Sequence, residues 1–386
     1  MSWPQHKTGY KARLYAPGPV EVPPQVLEAS ARPLLHHRSA AFRELFMQVR
    51  QQLAALLCVP GEDVLLITGS GTAAFEAGLL AAVPPGSKII GINAGKFGGR
   101  WVAMARHYGY EVIEHTLAWG EALETEALEP LLRAHPDCQA VMSTHSETST
   151  GVLHDVQALA ALCQQHVPEA LVLIDAVTSL GVAPLFPKDW GLDGVFSGSQ
   201  KGLMTPPGLG FLWLSERAWA QQGQTSFYLD ARKERRAQQQ GQTACTPAVS
   251  LVAALQAALT MLLDEGLESL WQRRERLNNA VLEGAQALGC RRFAARVSPA
   301  VAALYAPEGI AAPDIVRGFA ARAAVIAGGQ DHAKAVLFRP SLMGYADDYD
   351  AVTLVVMLEQ VLQDLGMTLA PAQGVAACLQ ALAAGR

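Results

Sequence analysis

The sequence predicts an α/β protein built on a mostly parallel sheet, and three observations carry that reading. Short aliphatic runs at residues 64–68, 88–93, 140–144, 171–175, 194–197 and 209–214 have the composition of strands buried on both faces. Amphipathic helical stretches at 72–82, 99–108, 125–134 and 156–166 lie among them, as the crossovers of parallel strands require. Pro84-Pro85-Gly86 and Pro206-Pro207-Gly208 punctuate the pattern just ahead of two of the strands.

Composition agrees. Half of the 386 residues are hydrophobic and 17% are charged, which suits a large core and argues against disorder. A net charge of −5 leaves no basic surplus for nucleic acid. No apolar stretch follows Lys7, Lys11 and Arg13, so no signal peptide is read, and runs such as 351–356 are too short for a bilayer. The six cysteines lack CxxC spacing, which speaks against a zinc knuckle and a disulfide framework. A cytoplasmic enzyme without a metal centre is expected.

Beyond residue 250 the character changes. An apolar helix at 250–263 leads into an Arg- and Glu-rich helix at 266–288, then a strand at 301–305, a helix at 312–322, a strand at 335–338 and a helix at 347–365. This gives an N-terminal arm (1–14), a large domain (15–264) and a small α+β domain (265–386). The Ala-rich tail from 370 reads equally as a helix or a frayed end.

Three motifs carry chemistry. Gly69-Ser70-Gly71-Thr72 follows a strand and opens a helix, where free N–H groups and hydroxyls suit an anion; it is also an ordinary capped turn. A dinucleotide site wants a carboxylate at the end of the next strand, and Gly91-Ile92-Asn93 has none. Asp175 ends an aliphatic strand at the edge where α/β ligand sites lie, although strand-end aspartates also cap helices. Lys201 lies among small residues past another strand, in Ser197-Gly198-Ser199-Gln200-Lys201-Gly202, and is either a Schiff-base lysine or a loop lysine. Together a phosphate cradle, a strand-end aspartate and a lysine are the parts that pyridoxal phosphate needs.

The chain resembles the class V aminotransferases of fold type I, near the alanine–glyoxylate and serine–pyruvate branch. The resemblance rests on Pro17-Gly18-Pro19, His37-Arg38-Ser39, Gly69-Ser70-Gly71-Thr72, Phe97-Gly98-Gly99-Arg100, His145-Ser146-Glu147-Thr148-Ser149-Thr150-Gly151, Asp175-Ala176-Val177-Thr178-Ser179, Ser199-Gln200-Lys201 and Thr246-Pro247-Ala248. It implies a seven-stranded sheet in the large domain and a pyridoxal phosphate cofactor. Lys201 would form the Schiff base and Asp175 would pair with the pyridine nitrogen. Ser70, Gly71, Thr72 and Gln200 would cradle the phosphate. Phe97 and Val177 would cover the two ring faces, and Thr148 would meet the ring hydroxyl. Gln242 and Thr243 would reach the phosphate of a neighbouring subunit in a homodimer with shared sites, although Cys245 stands where some relatives carry Thr. Arg339, in Phe338-Arg339-Pro340-Ser341, matches the arginine that binds the substrate carboxylate.

Arg38, beside His36 and His37, reads as a second carboxylate ligand or a structural salt bridge. Tyr228 reads as packed in the core beside Phe227 or as reaching the site edge. Met204 and Trp213 read as core, and the run Arg232, Lys233, Arg235, Arg236 as a solvated helix face. The implied reaction is ping-pong transamination from alanine, serine or aspartate to glyoxylate or pyruvate through a Lys201 aldimine. The alternatives are a lyase of the cysteine-desulfurase type and a nicotinamide dehydrogenase. Gln200 in place of His before the lysine, and no Cys between Cys290 and Arg339, oppose the former. The missing ribose carboxylate opposes the latter.

Overall fold

The computed structural model describes residues 11–385. Strand β1 (Arg13–Leu14) and helices α1 (Pro24–Ser30) and α2 (Ala40–Leu56) precede the main sheet. Helix α2 is not among the sequence-predicted segments, yet Phe42, Phe46, Val49, Leu53 and Leu56 recur at helical spacing and are buried. Ser39 caps it, accepting from the Phe42 N–H at 3.2 Å.

Strand and helix then alternate. In order come β2 (Val64–Thr68), α3 (Gly71–Ala82), β3 (Lys88–Asn93), α4 (Lys96–His107), β4 (Glu111–Thr116), α5 (Thr125–Ala134) and β5 (Ala140–Thr144). The hairpin β6 (Ser146–Glu147) and β7 (Val152–Leu153) follows, then α6 (Val156–His166), β8 (Leu171–Asp175), β9 (Gly194–Gly198) and β10 (Leu209–Leu214). Helices α7 (Glu216–Ala220), α8 (Ala231–Gln239) and α9 (Val249–Glu265) complete this part.

The sheet has seven strands in the order β2-β10-β9-β8-β5-β3-β4. Strand β10 is antiparallel to both neighbours and the other pairings are parallel. The reversal has a physical cause: only residues 199–208 join β9 to β10, too few for a helical crossover. Edge strand β4 escapes an aliphatic-run criterion because its residues are only half-buried or exposed, and it reads Glu-Val-Ile-Glu-His-Thr. Side chains of β8 alternate between two apolar layers. Val172 and Ile174 join Phe42, Leu159 and Leu259 on one face, while Leu171 and Leu173 join Phe75, Trp101 and Phe196 on the other.

The C-terminal part begins with α10 (Leu267–Ala287), followed by β11 (Arg291–Arg292), β12 (Leu304–Tyr305), α11 (Ala312–Ala321), β13 (Ala324–Val325), β14 (Ala327–Gly328), β15 (Leu337–Arg339), α12 (Asp348–Asp364) and α13 (Gln373–Ala384). A four-stranded antiparallel sheet, β11-β12-β15-β14, shares a separate core with these helices, including Leu277, Phe319, Phe338, Leu358 and Leu382. The strands are shorter than the expected 301–305 and 335–338, and Arg339 is the last residue of β15 rather than the first after it. The tail is a packed helix, not a frayed end, because Cys378 and Leu382 are buried.

Of the expected N-terminal arm, residues 1–10 lie outside the described residues. Arg13 and Leu14 form β1, which pairs in parallel with β13, and Tyr15 is buried in the C-terminal core. Met204 and Trp213 are buried as expected. The charge run on α8 is not simply solvated. Arg232 donates to the carbonyls of Ala81 and Trp219 at 2.9 and 2.8 Å, and Arg235 pairs with Asp63 and Glu216 at 3.0 and 2.6 Å; only Lys233 and Arg236 are exposed. Among the described residues no single helix is long and apolar enough to cross a membrane, and no cluster of three or more His, Cys, Asp or Glu could hold a metal.

Candidate active site

Strands β2, β3, β5, β8 and β9 end at one edge of the main sheet, where ligands of open α/β sheets bind. The segments leaving them enclose a cleft of about 270 Å³. Ser70, Gly71, Thr72, Phe97, Thr148, Asp175, Val177, Gln200 and Lys201 all line it, together with Arg100, Trp101 and Thr178, which were not expected as site residues.

The α3 N-terminus forms one wall. A Cβ on Gly71 would lie 2.7 Å from Val177 Cγ2 and 3.3 Å from the Ser197 carbonyl, so only glycine lets the helix start this close to β9. Its first N–H groups have no intrahelical partner, as at any helix start. The Ser70 hydroxyl makes no capping bond and is left for a ligand. The Gln200 amide sits against this turn, with its Oε1 buried and without a partner.

Asp175 ends β8 and is 4% exposed. Among the described residues it has no ion-pair partner; its two oxygens accept from the Val177 N–H at 2.7 Å and the Trp101 indole N–H at 2.8 Å. Burial outweighs these bonds and pushes the carboxyl up to about 7.

Lys201 follows β9, and its Nζ donates to the Pro17 carbonyl at 2.6 Å, with no carboxylate in ion-pair range among the described residues. Burial lowers its ammonium to about 8, which leaves a usable fraction of neutral amine near neutral pH. Gly18, at φ 126°, makes room for it: a Cβ there would stand 2.2 Å from Lys201 Nζ.

Glu147 fixes the opposite wall. This buried side chain accepts from the N–H groups of Phe97, Gly98 and Ser149 at 3.1, 2.9 and 3.1 Å and from Ser149 Oγ at 2.5 Å. A carboxylate at the α4 N-terminus is favoured by the helix dipole. It holds the helix that carries Phe97, Arg100 and Trp101 into the cleft. The Arg100 guanidinium lies 4.8 Å from the Phe97 ring centre and its Nη1 is 3.4 Å from Thr72 Oγ1. Thr148 Oγ1 donates to Thr178 Oγ1 at 3.1 Å, and Thr178 Oγ1 in turn to the Ser146 carbonyl at 2.9 Å.

Arg339 reaches this wall from the C-terminal sheet. Its Nη1 donates to the Thr148 carbonyl at 2.6 Å and its Nε to the Gly328 carbonyl at 2.9 Å. It is 4% exposed and, among the described residues, pairs with no carboxylate. Burial lowers the guanidinium to about 10, a penalty that an arriving carboxylate would relieve.

Gln242 and Thr243 do not line this cleft. Arg38 holds both, donating to Gln242 Oε1 at 2.8 Å and to the Thr243 carbonyl at 3.1 Å, and among the described residues it makes no salt bridge. Tyr228 and Phe227 are not core residues: they are 59% and 99% exposed. Two neighbours of known motifs were legible and missed. Trp101 lies four residues after Phe97, on the same helix face, and Glu147 directly precedes Thr148.

The cleft fits pyridoxal phosphate. An uncrowded helix N-terminus with a free hydroxyl suits a phosphate, a carboxylate on two donors suits a ring nitrogen, and a lysine without a carboxylate partner among the described residues suits an aldehyde.

Comparison with known proteins agrees with these features. Residues 21–347 match the family model "Aminotransferase class-V". The chain is 39% identical over 381 residues to a Synechococcus sp. protein named "Soluble hydrogenase, small subunit", covering 96% of this chain and 98% of that one. It is 30% identical to the serine–glyoxylate aminotransferase of Methylorubrum extorquens, covering 94% of each. The solved aspartate aminotransferase of subgroup IV from Thermus thermophilus superposes with a TM-score of 0.87 at 40% identity, covering 91% of this chain and 99% of that one.

Proposed function

The chain belongs to the class V aminotransferase family and uses pyridoxal phosphate, and on that footing we propose that it moves an amino group from alanine, serine or aspartate to glyoxylate or pyruvate in two half-reactions. The observation that carries the proposal is the meeting of Asp175 and Lys201, from two strands, in one cleft with no ion-pair partner for either among the described residues. Bound there, the cofactor supplies an electron sink and carries the amino group between the two substrates.

The chain's own residues do the rest. Lys201 Nζ would hold the cofactor by its aldehyde group and, as a neutral amine, would take the proton from the substrate Cα. Asp175 keeps the ring nitrogen protonated. Phe97 and Val177 cover the ring faces, and Thr148 meets the ring hydroxyl. Ser70, Gly71, Thr72 and Gln200 anchor the phosphate. Arg339 grips the substrate α-carboxylate and so sets the direction of the Cα–H bond. We also propose a homodimer in which Gln242 and Thr243 reach the neighbouring subunit's phosphate. Their place outside this chain's own cleft supports that role.

The test is spectroscopic. Alanine, serine and aspartate are added singly to the holoenzyme while the visible band of the bound cofactor is followed. At least one should bleach it, and glyoxylate or pyruvate should restore it; three inert donors would overturn the substrate assignment. An active monomer by light scattering would overturn the shared site.

A further inference from the structure

Asp175 poses a problem. A carboxylate that is 4% exposed needs a counter-charge or several donors to remain ionised, and among the described residues no cation lies in ion-pair range. Among the described residues, two N–H groups are all it has. The Val177 N–H belongs to the backbone. The other belongs to Trp101, and nothing in the family motifs quoted above assigns Trp101 a part in the site.

Trp101 is built to present that N–H. It lies on α4 one turn beyond Phe97, is 2% exposed, and stacks on Phe75 at 4.1 Å with an interplanar angle of 4°. Phe75 in turn leans on Phe196 of β9 at 4.4 Å, so the indole plane is clamped from α3 and from the sheet. The N–H then has one direction, and in it lies Asp175 Oδ2 at 2.8 Å. The chemistry of the donor matters too. An indole N–H donates and never accepts, whereas an imidazole or an amide can turn to accept from a protonated carboxyl. A donor-only partner favours the charged form of Asp175 alone.

We propose that Trp101 is a positioning residue that favours the ionised form of Asp175 and aims it at the ring nitrogen of the cofactor. The proposal rests on the reading of Asp175 as the partner of that nitrogen. Trp101 acts through Asp175, and its effect vanishes when either the carboxylate or the ring nitrogen is absent.

The experiment compares the wild type with Trp101→Phe, which keeps an aromatic ring beside Phe75 but is smaller and has no N–H. Equilibrium binding to the apoenzyme is measured for pyridoxal phosphate and for its analogue with carbon in place of the ring nitrogen. A lost hydrogen bond to a charged group corresponds to roughly a ten- to a hundredfold change in affinity. Trp101→Phe should weaken pyridoxal phosphate by that factor and leave the carbon analogue within about twofold of the wild type. Adding Trp101→Phe to Asp175→Asn should cause no further loss. Equal weakening of both ligands would make Trp101 a packing residue and overturn the proposal, as would unchanged binding of pyridoxal phosphate. If Asp175→Asn alone binds pyridoxal phosphate like the wild type, the reading of Asp175 itself falls and takes this proposal with it.

Discussion

Two carboxylates are buried at the same edge of the sheet, and the chain treats them in opposite ways. Glu147, in the β6–β7 hairpin, accepts from three N–H groups and one hydroxyl at the N-terminus of α4. Asp175, at the end of β8, accepts from two N–H groups and is pushed up to about 7 by burial. Neither has an ion-pair partner among the described residues. A saturated buried carboxylate is a structural anchor, since its donors would be stranded without it. An under-supplied one is held ready for a further donor from outside the chain. Lysines divide likewise. Lys88 pairs with Asp137 at 2.6 Å, whereas Lys201, among the described residues, has only the Pro17 carbonyl.

That contrast can be broken or sharpened by substitution. The largest effect belongs to Lys201→Ala, which should abolish turnover while the protein still folds. Borohydride reduction of the wild-type holoenzyme and peptide mapping should put the label on Lys201; a label elsewhere would sink the assignment. Next comes Asp175→Asn, which should keep the fold and slow turnover by about 10²–10³, equivalent to roughly 3–4 kcal/mol. Near-normal rates would mean that the ring nitrogen is held some other way.

Glu147→Ala should fail differently. Stranding four donors should lower folding stability by about 3 kcal/mol or more in urea titration, whereas Asp175→Asn should change apoprotein stability far less. Equal losses for the two would erase the distinction between anchor and held-ready group. Arg339→Ala should reduce kcat/KM by about 2–3 kcal/mol for every amino donor alike, with pyridoxal phosphate affinity kept. Arg339→Lys should recover only part, because a point charge cannot fork to two oxygens. A loss confined to one donor would contradict a role on the α-carboxylate.

The smallest effect is one of pH. The folded-state value of Asp175 is raised from 3.8 to about 7, so the folded apoprotein binds this proton before the unfolded chain does. Its contribution to stability is complete below about pH 3.8 and is lost as pH rises through 7. From pH 6.5 down to 5.5, apo wild type should therefore gain about 1 kcal/mol relative to apo Asp175→Asn. A constant difference between the two proteins across that interval would show that Asp175 is already ionised.

Much of this was written in the chain. Six of the seven strands of the main sheet are legible because a strand covered on both faces is largely apolar along its length. Edge strand β4 is not, since one covered face leaves no continuous run. The residues expected to surround the cofactor all line one cleft, because each stands at a strand end or a glycine turn that local sequence marks. What failed were readings that depend on surroundings. Tyr228 and Phe227 look like core by type and are exposed. Arg232 and Arg235 look like solvated charges and are tied to backbone carbonyls and to Asp63 and Glu216.

The sequence by itself determined the order of strands and helices, the glycine turns, and the aspartate and lysine that the cleft uses. Those are local matters, decided by side-chain periodicity and backbone freedom within a few residues. Tertiary structure alone decided which buried charge finds partners. Glu147 meets α4 across 50 residues of chain, Trp101 meets Asp175 across 74, and Arg339 meets Thr148 across 191. Whether a buried group is saturated or left short of donors is set by contacts between such distant segments. No window of sequence contains them, because the hydrogen bonds that fix a charge are made after the chain has folded back upon itself.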